Sequence, residues 1–314
     1  MKAGNRLRSS FIMVISVSIF SSAGIAQSGK MQTLDTTLIQ NIIGIKGKSN
    51  SGEYKITIPQ NDLSIMVDGF KIIPPMGLGT WIAFTSTKEG TMIMGDLILT
   101  ETDLKPVQQE VIRQGLTMTA IHNHFVRNHP NVMYMHVGGA GKTDEIAKKA
   151  KAVLDKIRVV RGGEPSKGTA SNETVVNTLD TKNLDDILKY KAEMTNGVYK
   201  YTIGRPDVTL KEHGTTVTSF LGFNTWASFQ GTPDHAAVCG DFAMLENEVA
   251  PVIKALVENN IEVVAIHNHM VNEQPRIFFL HYWGVGNAEQ LAKGIRVALD
   301  QTGKSRQGKM NMKM

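Results

Sequence analysis

The twenty residues from Ala265 to Gly284, AIHNHMVNEQPRIFFLHYWG, hold three of the chain's nine histidines together with Glu273 and Arg276. Imidazole nitrogens are ligands for zinc, copper, nickel and iron. In a strand, residues i and i+2 share a face, so His267 and His269 should project side by side with Asn268 opposite. Glu273 follows past an expected turn, and His281 belongs to the next strand, which should run back alongside. Three nitrogens and one carboxylate could then converge on a divalent transition metal, zinc being the expected ion. The apolar Ile277, Phe278, Phe279 and Trp283 would shield the site. A metal held there would lower the pKa of a water, and a carboxylate would accept its proton, which is the chemistry of metal-dependent hydrolysis.

A second stretch, AIHNHFVRNHPNVMYMHVGG from Ala120 to Gly139, repeats the arrangement 145 residues earlier. His122, His124 and His136 match His267, His269 and His281, while Asn128 stands where Glu273 stands. A metal site in each repeat is therefore expected, the stronger one in the second. On that expectation His267→Ala abolishes binding in the second repeat and His122→Ala leaves most of it. The competing reading is a buried polar network in which the histidines pin strands together by hydrogen bonds. Asp96 and Asp241 each follow a glycine. They read either as carboxylates orienting a histidine or as turn residues capping the next helix, and the turn is preferred. Trp81 and Trp226 read as core residues of alternating strands. Cys239, the chain's single cysteine, reads as a small buried residue, and one cysteine excludes an internal disulfide.

These residues belong to units that repeat without a gap from Ile42/Ile187 to Leu154/Leu299, through pairs such as Tyr54/Tyr199, Trp81/Trp226 and Gly95-Asp96/Gly240-Asp241. A period this long is a duplicated domain rather than a solenoid. The division expected is a signal peptide at 1–26, a first repeat at 31–158, a linker at 159–175, a second repeat at 176–302 and a tail at 303–314. Each repeat opens with a short helix, near Leu34 to Ile43 and Leu179 to Tyr190. Strand-like runs follow, then an amphipathic helix with Val249, Val252, Ile253, Leu256 and Val257 at helical spacing, for which Asn247 is the expected cap. Two further strands and a closing helix complete the unit. That order implies an α+β fold, two tandem copies of one domain, each a mixed or antiparallel sheet with helices on one face.

At the N-terminus Lys2, Arg6 and Arg8 precede an apolar run from Phe11 to Phe20 and the small residues through Gly24 and Ala26, the succession of a secretory signal peptide. Cleavage after Ala26 would take those three from 34 basic residues and leave 31 against 29 acidic, a balance without the footprint of a nucleic-acid binder. The expected compartment is the periplasm or the exterior, with no membrane span after cleavage. No motif calls for a nucleotide cofactor. The tail KMNMKM spaces Met310, Met312 and Met314 as a Cu(I) site would, but reads as a frayed end.

The paired AIHNH segments, with EQPRIFFLHYWG in the second, resemble the LppY/LpqO family of bacterial envelope proteins over nearly all of the mature chain. The resemblance implies an envelope location and supplies no activity. The family's name-giving members are lipoproteins, and this chain lacks the acylated cysteine. Two functions stand side by side: a metal-binding envelope protein with possible hydrolytic chemistry, and a non-catalytic module that binds a cell-envelope glycan or a partner protein. Convergent ligand atoms favour the first; histidines bonded to backbone carbonyls favour the second.

Overall fold

The computed structural model describes Met1, residues 33–163 and residues 174–303; the signal-peptide stretch, most of the linker and the methionine tail lie outside the described residues. The first repeat runs α1 (Thr36–Ile43), β1 (Lys48–Asn50), β2 (Glu53–Pro59), β3 (Ile65–Val67), β4 (Phe70–Ile72), β5 (Gly79–Ser86), β6 (Thr91–Thr100), α2 (Glu101–Arg113), β7 (Thr117–His122), β8 (Asn128–His129), β9 (Val132–Gly141) and α3 (Thr143–Val160). The second runs α4 (Thr181–Leu188), β10 (Glu193–Thr195), β11 (Val198–Gly204), β12 (Lys211–Glu212), β13 (Thr215–Thr216), β14 (Asn224–Gly231), β15 (Ala236–Leu245), α5 (Glu246–Glu258), β16 (Glu262–His267), β17 (Ile277–Gly286) and α6 (Ala288–Leu299).

Each repeat builds one six-stranded sheet, in the order β1-β2-β5-β6-β9-β7 and β10-β11-β14-β15-β17-β16. Every pairing within these sheets is antiparallel. The α+β class, the duplication and the helices on one face are as the sequence led us to expect. Local chemistry sets the helix ends. Asp35 and Asp180 accept from the amides of Leu38 and Asn183, and the first helix stops at Gly44 in the left-handed region (φ 79°). Thr100 and Asp103 cap α2 reciprocally. In α5 the Glu248 carboxylate accepts from the Leu245 amide at 2.8 Å, so the helix starts ahead of Asn247 and Pro251 falls in its second turn.

Parity along the strands divides the core. In the first repeat Tyr54, Ile56, Ile82, Phe84, Ile93, Leu97, Met135 and Val137 face α1, α2 and α3. In the second, Tyr201, Phe229, Val238, Phe242, Leu280 and Tyr282 face α4, α5 and α6. Residues of the other parity face the other repeat. Ile65, Val67, Ile72, Ile73 and Met76, from the segment between β2 and β5, pack with Ala237, Cys239 and Trp283 of the second sheet. Reciprocally, Leu210, Val217, Leu221 and Phe223 pack with Ala83, Met92 and Met94 of the first. Each repeat thus lays an arm across the other's sheet, and contacts exchanged in both directions are those of a two-fold arrangement. This accounts for β6 and β15 being buried on both faces, with a burial pattern that does not alternate.

Candidate metal centre

The inter-repeat face carries the histidines. His136 lies on β9 beside Asp96 of β6, and His281 on β17 beside Asp241 of β15. His122 and His267 end β7 and β16, while His124 and His269 sit in the turns just beyond. The two HNH triplets therefore meet across the two-fold. The His122 and His267 rings stack with centroids 3.8 Å apart and planes 9° from parallel. His124 lies 3.7 Å from His281, and His136 lies 4.0 Å from His269. Outside them, Tyr134 stacks on His124 and Phe279 on His269, each at 3.4 Å.

This corrects the expectation of one site in each repeat. The six histidines form a single cluster shared by both. Among the described residues, three overlapping groups offer ligand atoms all within 4.8 Å of one another: His122, His267 and His281; His136, His267 and His269; and Asp96, His122 and His124. Two of the three draw on both repeats. Glu273 joins none of them. One of its oxygens accepts from the Ile277 amide at 3.3 Å and faces Arg276 at 3.5 Å, much as the Asn128 amide oxygen accepts from the Val132 amide at 2.6 Å. Both residues buckle the turn before the returning strand; the second Glu273 oxygen, Oε2, is buried without a hydrogen-bond partner among the described residues but belongs to none of the three groups.

The carboxylates at the centre are Asp96 and Asp241. Asp96 Oδ2 lies 3.7 Å from His124 Nε2, and Asp241 Oδ2 lies 3.5 Å from His269 Nε2 and 4.0 Å from His281 Nε2. They are mid-strand residues, not the turn caps that were preferred. A sequence signal for them existed: each is the only charged residue in a ten-residue strand, TMIMGDLILT and AAVCGDFAML. A lone carboxylate in a strand apolar at both parities is costly without a partner. The preceding glycine is also demanded by close approach, because a side chain at Gly240 would collide with the Trp226 carbonyl and the Tyr282 hydroxyl.

Burial, with the neighbouring imidazoles, holds His122, His124, His267 and His269 well below the usual histidine pKa. Burial pushes His136 and His281 down to about 3, against the backbone hydrogen bonds each makes. All six rings are neutral near pH 7, the form that ligates metal. Burial raises Asp96 to about 7, with Lys55 opposing, and raises Asp241 well above the usual carboxylate range. The imidazoles in the histidine–aspartate contacts are thus neutral, and burial moves both carboxyls toward the protonated form. The Gly240 carbonyl lies 3.0 Å from His281 Nδ1, and a carbonyl can only accept. That fixes the proton on Nδ1 and turns the lone pair of Nε2 to the cluster. Among the described residues, both ring nitrogens of His122, His124 and His267 and one each of His136, His269 and His281 are buried with no hydrogen-bond partner. Unpaired buried polar atoms at this density are what a cation would satisfy.

Above the cluster opens a cleft of about 680 Å³, lined by both repeats. Lys55 and Lys200 sit over the indoles of Trp81 and Trp226, 4.0 and 4.2 Å from the ring centroids. Both tryptophans pack half-buried against the inter-repeat core, where the sequence placed them, and also line this cleft. Gly77 and Gly222, at φ 96° and 104°, close the turns that press against Trp226 and Trp81 of the opposite repeat. Cys239 is buried as expected, its thiol pushed up to about 12 by burial.

Fold and cluster together define a tandem α+β protein whose two halves share one histidine-rich centre. A family model described as Domain of Unknown Function (DUF1259) matches residues 37–156 and again residues 182–301, and the chain belongs to that family. Among curated proteins no match is found. Two solved structures give weak likenesses. A trimeric bacterial microcompartment shell protein, PduB, is 9% identical with a TM-score of 0.22, over 84% of this chain and 92% of that one. EtuB from Clostridium kluyveri is 7% identical with a TM-score of 0.20, over 85% and 93%. At these scores the likenesses carry nothing about fold or function. Among the described residues, no helix is long and apolar enough to cross a membrane.

Proposed function

We propose that the protein binds a divalent transition metal, zinc first among them, in the cluster shared by its two repeats, and works as a metal-dependent protein of the bacterial envelope. The observation that carries the reading is the convergence of six neutral, buried histidines whose ring nitrogens are mostly unpaired. His122, His267 and their neighbours on β9 and β17 supply the nitrogen ligands, and Asp96 and Asp241 the oxygen ligands or proton acceptors. A bound ion supplies Lewis acidity toward an oxygen of whatever enters the cleft. Asp96 and Asp241, whose carboxyls burial moves toward the protonated form, would give up protons to a cation and become acceptors on either side of the two-fold. That pairing suits hydrolysis of a small molecule. The basic, apolar and small-residue succession through Ala26 supports export to the periplasm or exterior, and the LppY/LpqO resemblance supports the same compartment.

The test is elemental analysis of protein purified without a metal-affinity tag, followed by calorimetric titration of zinc, copper and nickel into chelator-treated protein. Stoichiometric metal in the first and tight binding in the second are expected. If no metal copurifies and none of the three binds, the histidines form a structural network and the chain is a non-catalytic module.

A further inference from the structure

The cleft has a second chemistry at its mouth, in the matched residues Lys55 and Lys200. Each ammonium rises from its own sheet, caps its own repeat's indole and reaches a backbone carbonyl of the other repeat: Phe220 O at 3.2 Å from Lys55, Pro75 O at 3.5 Å from Lys200. Phe220 and Pro75 are themselves matched positions. Among the described residues neither ammonium makes an ion pair. Of the carboxylates that Lys55 feels, Glu53 accepts from the Thr218 hydroxyl at 2.7 Å. Burial lowers both lysines, Lys55 to about 8, and the charge of Lys200 lowers Lys55 further. Two like charges lining one half-buried cleft are an unfavourable arrangement that a dianion would reverse.

We propose that Lys55 and Lys200 form an oxyanion site at the mouth of the cleft, and that the ligand is a small molecule bearing a doubly charged oxyanion of the phosphate-monoester kind. The two indoles line the same cleft and give its organic part apolar surface beside the ammonium groups. A volume near 680 Å³ suits a ligand of that size. As the substrate class of the metal centre this rests on the reading above; as an anion site it stands on the lysines alone.

The experiment is calorimetric titration of inorganic phosphate into chelator-treated full-length protein, beside the Lys55→Met/Lys200→Met variant. Methionine keeps the length of the stem and removes a half-buried charge, so the fold should persist. Phosphate is expected to bind the parent, and each lysine lost should weaken it by about ten- to a hundredfold. Acetate, with one charge, should bind more weakly than phosphate. Zinc titration of the double variant should match the parent, which separates the anion site from the metal centre. Should far-UV circular dichroism show the double variant unfolded, Lys200→Gln is read in its place. Absence of phosphate binding to the parent, equal binding by the variant, or acetate binding as tight as phosphate overturns the proposal.

Discussion

His122 and His267 lie face to face on the two-fold, and each belongs to two of the three ligand groups. Removal of either therefore takes a nitrogen from at least one candidate ligand group that spans both repeats. His122→Ala and His267→Ala should weaken zinc binding to a similar degree in calorimetric titration, instead of the strong asymmetry expected from Glu273. Glu273→Gln should leave metal affinity within about threefold, because an amide oxygen can still accept from the Ile277 amide. A large loss there would return Glu273 to the centre. The acid limb of stability follows from the same rings. All six have folded pKa values below the ordinary 6.5, so below that pH the unfolded chain takes up protons that the folded chain refuses. Asp96 and Asp241, raised from 3.8, act oppositely, but they are two groups against six. The metal-free protein should lose stability as pH falls from 6.5 toward 4, read as a falling urea midpoint.

Among the elements, the longer strands of both sheets were legible because their apolar residues run in short blocks bounded by turn residues, while the short exposed edge strands β1 and β10 carry no such block; the helices were legible because their apolar positions recur at helical spacing. Helix α5 shows where that reading fails. Asn247 is a better capping residue than Leu245, yet the helix begins at Glu246 because Glu248 reaches back to the Leu245 amide and is itself held by Arg205. Arg205 also donates to Asp207 and to the Ala243 carbonyl. In the first repeat Arg161 plays the equivalent part, donating to Asp103 and the Ile98 carbonyl from just past α3. The same anchor is thus served from two different places in the sequence, which no alignment of the repeats discloses. Arg161 falls in the stretch 159–175 that was expected to be linker. Breaking a buried pair by removing one partner leaves the other charge stranded. Arg205→Met should therefore destabilise the protein by about 3–5 kcal/mol in denaturant unfolding. A loss under about 1 kcal/mol, the figure for an exposed pair, would sink this assignment.

For the whole molecule, spacing within each repeat picked out the histidines that the structure brings together, and no motif gave the docking of the repeats. The ligand set depends on an interface between segments 145 residues apart, whose only trace is strands apolar at both parities. That interface makes the halves one unit. A protease site placed at position 168 and then cut should leave the two fragments together in gel filtration, with zinc binding intact. Separation of the fragments would contradict the exchanged arms.

Those arms also bear on what the duplication can become. When a gene doubles and its products act apart, one copy is a spare that can decay or take up new work. Here the stacked imidazoles come one from each half, so neither half is a spare, and a lesion in either disables the only centre there is among the described residues. Drift is free only where the halves do private work, as at the buckled turn, where asparagine in one and glutamate in the other serve the same amide. The two repeats are bound to a common fate at the histidines and released from it a few residues away.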